Sequence, residues 1–110
     1  MQTLIQVLAS KSGSLRQKIV NDGRLKNCNL SVSREKKKGR THGWAKIHSE
    51  AEEGYGAINM EWYGRSRMLI CRVITRNSSR KSANVLIADF IRYLLAYHGG
   101  SIQSVNILPR

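Results

Sequence analysis

Lys36, Lys37, Lys38 and Arg40 set four cations in five positions around Gly39. Long cationic side chains on a glycine-containing loop can follow phosphate oxygens without disturbing a core, which is chemistry suited to a nucleic-acid backbone. The same run would also serve as a solvated loop that keeps a sheet edge from pairing. A second basic stretch supplies Arg65 and Arg67, then Arg76, Arg80 and Lys81 around Asn77, Ser78, Ser79 and Ser82. Those hydroxyls and amides fit the start of a helix, where exposed N–H groups and the helix dipole favour an anion, although such caps are equally common where nothing binds. Trp44 alternates with Lys46 and His48, and a ring beside cations on a sheet face can stack a base. The competing reading makes Trp44 and Trp62 a buried pair under a helix. The candidate contacts are therefore Lys36, Lys37, Lys38, Arg40, Trp44, Lys46, Arg65, Arg67, Arg76, Arg80 and Lys81.

Acid–base chemistry has a thinner basis. His42, His48 and His98 are the imidazoles, and His48 shares a strand face with Glu50. A metal-independent ribonuclease would need one or two of them as base and acid, with Arg40 or Arg67 beside the phosphate. A histidine next to a glutamate is also ordinary surface, and no catalytic residue is assigned. Glu50, Glu52 and Glu53 cluster in one turn, with Glu61 and Asp89 elsewhere, so no spacing marks a two-metal site. Cys28 and Cys71 form no Cys-x-x-Cys pair and read as small buried hydrophobes. There is no phosphate-loop, dinucleotide-binding or nucleophile-elbow motif, and no metal or cofactor is expected.

Composition bounds these readings. The chain has 110 residues, 41% of them hydrophobic, which suits one domain spanning 1–110. Nineteen Lys and Arg against seven Asp and Glu give a net charge of +12, which raises the local concentration of polyanions without dictating a fold. That charge is concentrated: residues 1–40 hold ten of the basic residues and 65–81 hold six more with no acid. Apolar runs reach only four or five residues, far below the roughly 20 of a membrane helix. The start of the chain has the wrong charge order for a secretory signal, so a cytoplasmic protein with no membrane partner is expected.

The elements that must position the cations follow from hydrophobic period. Leu4, Val7 and Leu8 fit a short helix, with a strand as the alternative, and 15–21 carry a helical stripe that stops near Gly23. Cys28, Leu30 and Val32 alternate with polar residues, as do Ala45 and Ile47, predicting two strands joined by a basic hairpin loop at 34–43. Ile58, Met60 and Trp62 begin a third strand, and the glycine of Tyr63-Gly64-Arg65-Ser66 suits a two-residue type II′ turn into a fourth. Counting outward from that turn places Glu61 opposite Met68 and near Arg67. Arg72 then shares a face with Met68, Ile70 and Ile74.

Ala83, Leu86, Ile87, Phe90, Ile91, Leu94 and Leu95 form the stripe of a long helix. Gly99 and Gly100 are expected to stop it in a left-handed conformation, with His98 meeting the last carbonyls. A short strand at 102–108 completes an α+β two-layer domain: a mainly antiparallel sheet of four to five strands with the long C-terminal helix on one face, in the order α-β-β-β-β-α-β. The function expected is that of a small basic protein binding DNA or RNA through phosphates. The alternatives are a homo-oligomerising interaction module that uses the Met68, Ile70 and Ile74 face, and a small ribonuclease.

Overall fold

Thr3, Ile5, Val7 and Ala9 are buried on one face of the first segment and Leu4, Gln6 and Leu8 half-buried on the other, and the segment is an interior strand with a neighbour on each side. The computed structural model describes residues 2–50, 56–75 and 80–109. Its elements are β1 (Gln2–Ala9), α1 (Leu15–Val20), a 3-10 helix (Gly23–Cys28), β2 (Leu30–Arg34), β3 (Trp44–Ser49), β4 (Ala57–Tyr63), β5 (Met68–Ile74), α2 (Arg80–His98), a 3-10 turn (Gly99–Ser101) and β6 (Ile102–Leu108). The class is α+β, as the hydrophobic periods indicate. The sheet has six strands rather than four or five, and the chain opens with a strand where the Leu4, Val7 and Leu8 spacing suggests a helix. Spatial order is β2-β3-β4-β5-β1-β6, and every neighbouring pair is antiparallel.

Both α-helices lie on one face of this sheet. Leu15 and Ile19 of α1, and Leu86, Phe90, Tyr93 and Leu94 of α2, join Ile5, Val7, Ala45, Ile47, Ile58, Met60, Leu69, Cys71 and Val73 in one core. Each fully buried Leu, Ile or Phe contributes about 1.5 to 3 kcal/mol of apolar transfer, which makes this layer the main source of stability. Ser14 caps α1 by accepting the Gln17 N–H at 3.1 Å. Leu95 falls outside the buried stripe and is 58% exposed.

Three local expectations are corrected. Gly99 and Gly100 have no left-handed backbone; the chain tightens from α2 into the 3-10 turn and runs directly into β6. His98 leaves the terminal carbonyls alone and is buried, its Nε2 lying 2.8 Å from the Tyr93 hydroxyl and 3.1 Å from Asp22 Oδ2. The β4–β5 connection is also longer than a two-residue turn. Tyr63 pairs with Met68, and residues 64–67 form the loop, with Arg67 at φ 54° and its N–H donating to the Gly64 carbonyl at 3.3 Å. Glu61 consequently faces Ile70, and Arg72 faces Asn59.

No described helix is long and apolar enough to cross a membrane. The glycine- and acid-rich stretch 51–55 and the proposed cap at 77–79 lie outside the described residues.

Candidate nucleic-acid interface

Antiparallel topology decides which basic stretches meet. The 35–43 loop joins β2 to β3, and Gly43 accepts the Trp62 N–H at 2.9 Å, so it stands beside the 64–67 loop that follows β4. Ala9 N–H donates to the Arg67 carbonyl at 2.8 Å and Ser10 N–H to the Ser101 carbonyl at 2.9 Å, which brings the end of β1 to the same place. One end of the sheet therefore gathers Lys36, Lys37, Lys38, Arg40, Arg65 and Arg67. Lys11, which the sequence reading passed over, joins them on the exposed connection after β1.

The second basic stretch does not travel as a unit. From Met68 to Ile74 the chain runs to the opposite end of the sheet, where Ile74 pairs with Gln2 and Ala57. The 19-residue α2 then returns over about 28 Å, with Lys81 in its first turn. Lys81 is thus remote from the loop cluster. Arg76 and the side chain of Arg80 lie outside the described residues.

The face without helices adds further cations. Register aligns Trp44, Glu61, Ile70, Gln6 and Asn106 in one row across it, and Lys46, Asn59, Arg72, Leu4 and Leu108 in the next. Two adjoining clefts open there. One, of about 230 Å³, is lined by Arg34, Lys37, Arg40, Trp44, Lys46 and Asn59. The other, of about 420 Å³, shares Arg40, Trp44 and Asn59 and adds Met60, Glu61, Tyr63, Ile70, Arg72 and Ile74. Lys36, Lys38, Thr41 and His42 instead face a third cleft, against Arg16 and Gln17 of α1.

Trp44 occupies an unusual position for a ring on this side. It shares a face with Lys46 and His48 as its alternation suggests, opposite to the core-facing Trp62, so the two tryptophans are not a pair. Yet Trp44 is only 2% exposed, with the Arg40 guanidinium 5.5 Å from its ring centroid. A roofed ring offers no open platform for stacking. Its Nε1–H is buried with no hydrogen-bond partner among the described residues. The exposed aromatic here is Tyr63, at 46%, whose hydroxyl donates to Glu61 Oε2 at 2.8 Å, a bond that raises the affinity of the phenol for its proton. Tyr63, Asn59 and Arg72 were missed as site residues because only the strand register shows that they border the loop.

Carboxylates of the described residues are mostly engaged elsewhere. Ion pairs join Arg24 to Asp22 at 2.8 Å and Arg92 to Asp89 at 3.1 Å, and the imidazole Nε2 atoms of His48 and His98 lie 2.7 Å from Glu50 and 3.1 Å from Asp22. Among the described residues, none of these contacts includes a lysine or arginine of the 35–43 loop, β3, the 64–67 loop or β5.

The histidines do not converge. His42 lies in the turn before β3 and His48 near the far end of that strand. His48 is held in its own polar cluster, with Ser33 Oγ 2.5 Å from Nδ1, and Glu50 Oε1 and Ser31 Oγ 2.7 and 2.9 Å from Nε2. The Ser31 hydroxyl, and then His48, hold the Glu50 carboxyl below its ordinary range. Among the described residues no group of three or more His, Cys, Asp or Glu could hold a metal ion. No family model, curated protein or solved structure matches the chain.

Proposed function

We propose that this chain is a non-catalytic nucleic-acid-binding protein that holds phosphates along one end and one face of its sheet. Lys36, Lys37, Lys38 and Arg40 act from the loop, Arg34, Lys46 and Arg72 from the strands, and Arg65 from the neighbouring loop. The observation that carries the reading is the meeting of separate sequence stretches, 34–46, 65–67 and 72, around one region whose cations lack carboxylate partners among the described residues. Such a concentration releases condensed counterions when a phosphate backbone settles on it. Binding of labelled single- and double-stranded DNA and RNA across a salt series tests the idea. Joint replacement of Lys36, Lys37 and Lys38 by alanine should flatten the log–log slope by roughly two units or more. An unchanged slope and affinity would refute the loop assignment.

A second reading is self-association through the other half of the same face. Leu4, Leu8, Met68, Ile70, Ile74 and Leu108 lie there without helical cover, with Ile74 38% and Leu108 41% exposed. Sedimentation at two ionic strengths separates the readings, since apolar assembly survives salt that releases a polyanion.

A further inference from the structure

Glu61 is out of keeping with its surroundings. On a face that displays Arg34, Arg40, Lys46 and Arg72, a carboxylate repels the phosphates those cations attract, unless it meets a different part of the ligand. The two clefts divide along that line. The smaller has four cations and no carboxylate in its lining; the larger has two, Arg40 and Arg72, beside Glu61, the exposed Tyr63 ring and an apolar floor of Ile70 and Ile74. Asn59 and Trp44 line both, and the Trp44 Nε1–H has no acceptor among the described residues.

Resting on the phosphate-binding reading above, we propose that the two clefts together form a subsite for one nucleotide of a single strand. Its phosphate lies among Arg34, Lys37, Arg40 and Lys46, and its base lies on Tyr63 with Glu61 selecting an exocyclic amino group. A duplex keeps its base edges paired and stacked, whereas a single strand can turn one base onto a ring. A carboxylate only accepts hydrogen bonds, and the Tyr63 hydroxyl occupies one of its roughly four acceptor positions. Cytosine presents an amino donor next to a ring-nitrogen acceptor, so Glu61 can accept from the amino group while the Asn59 amide donates to the ring nitrogen. Asn59 and Glu61 are two residues apart on β4 and share one face, both in the lining of the larger cleft. Uracil puts a carbonyl oxygen where cytosine has its amino group, setting acceptor against acceptor.

Fluorescence anisotropy with short oligocytidylate and oligouridylate strands tests this. The unaltered chain should bind the cytidine strand about tenfold more tightly. Glu61→Gln, which can donate to the uracil oxygen, should bring the ratio close to one, whereas Tyr63→Ala should weaken both strands alike. Equal binding of the two strands by the unaltered chain, or an undiminished preference in Glu61→Gln, would overturn the subsite and leave the phosphate reading standing. Absence of salt-dependent binding to either strand would overturn both. Cytidine monophosphate that competes as strongly as the strand would assign the cleft to a free nucleotide and defeat the strand-bound form of the proposal.

Discussion

Arg16 donates both Nε–H and Nη2–H to the Trp44 carbonyl, at 3.1 and 2.9 Å, and Nη2 also bonds the carbonyl of Glu35. One buried guanidinium on α1 thereby ties down the two ends of the basic 35–43 loop. Replacing it by methionine keeps the bulk and removes the donors, which should cost about 2 to 3 kcal/mol in urea unfolding. Arg16→Lys should recover only part of this, because an ammonium lacks the planar fork. A lysine variant as stable as the parent would show that the fork is not what holds the loop.

Gly43 is the other anchor of that loop. A methyl group there would sit 2.5 Å from the Trp62 carbonyl oxygen, a backbone atom that cannot swing aside. Gly39, at the loop tip with φ 84°, has open space around it and meets only the left-handed backbone penalty. Gly43→Ala should therefore lose more than about 2 kcal/mol and Gly39→Ala about 1. Chemical denaturation of the two variants side by side checks the order, and a reversed order would contradict the tight approach of the loop to β4.

Acid should destabilise the fold in two stages. Burial lowers the His98 pKa from its ordinary 6.5, outweighing the opposing pull of Asp22, so the unfolded chain takes up that proton first and stability declines as pH falls below about 6.5. Arg24 above all, with help from Tyr93, holds the Asp22 carboxyl far below its usual 3.8, so a second loss begins near that value and continues below it. Above about pH 7 neither group contributes a slope. Thermal unfolding from about pH 8 to pH 3 should show both stages, and His98→Gln should remove only the upper one. An upper stage that persists in His98→Gln would have to come from another group.

Cations near the loop and cations on α2 should separate in a salt titration. Arg40→Ala and Lys46→Ala should each reduce the log–log binding slope by about 0.7 to 0.9, as loss of one phosphate contact does. Lys81→Ala, at the far end of α2, should leave the slope unchanged. Equal effects from all three would mean that charge acts through the whole molecule rather than through a defined surface.

What the sequence made legible was mostly local. The β4–β5 hairpin, the stripe of α2 and the loop at 34–43 each announce themselves through period or charge within a few residues. β1 was ambiguous for a physical reason: an interior strand carries Leu4 and Leu8 on one face and Ile5 and Val7 on the other, and two apolar faces erase the alternation that marks a half-buried strand. The site was less legible still. Whether Arg65 or Lys81 stands beside Lys37 depends on which strand ends coincide, and no spacing in the chain encodes that. Alternation does place Trp44 on the face of Lys46, but it cannot show that Arg40 folds over the ring.

The placement of β1 bears on how the protein is made. The first strand lies between β5 and β6, so residues 2–9 must pair with 68–74 and 102–108. β1 thus gains one neighbour only when β5 has been made and the second only when β6 has, so both of its pairings join segments far apart in the sequence. Chains dominated by such distant pairings fold in milliseconds to seconds, far more slowly than helical bundles. Until β5 is in place β1 has two apolar faces and two unpaired edges, and one edge stays open until β6 arrives, which makes this interval the period of greatest danger from aggregation.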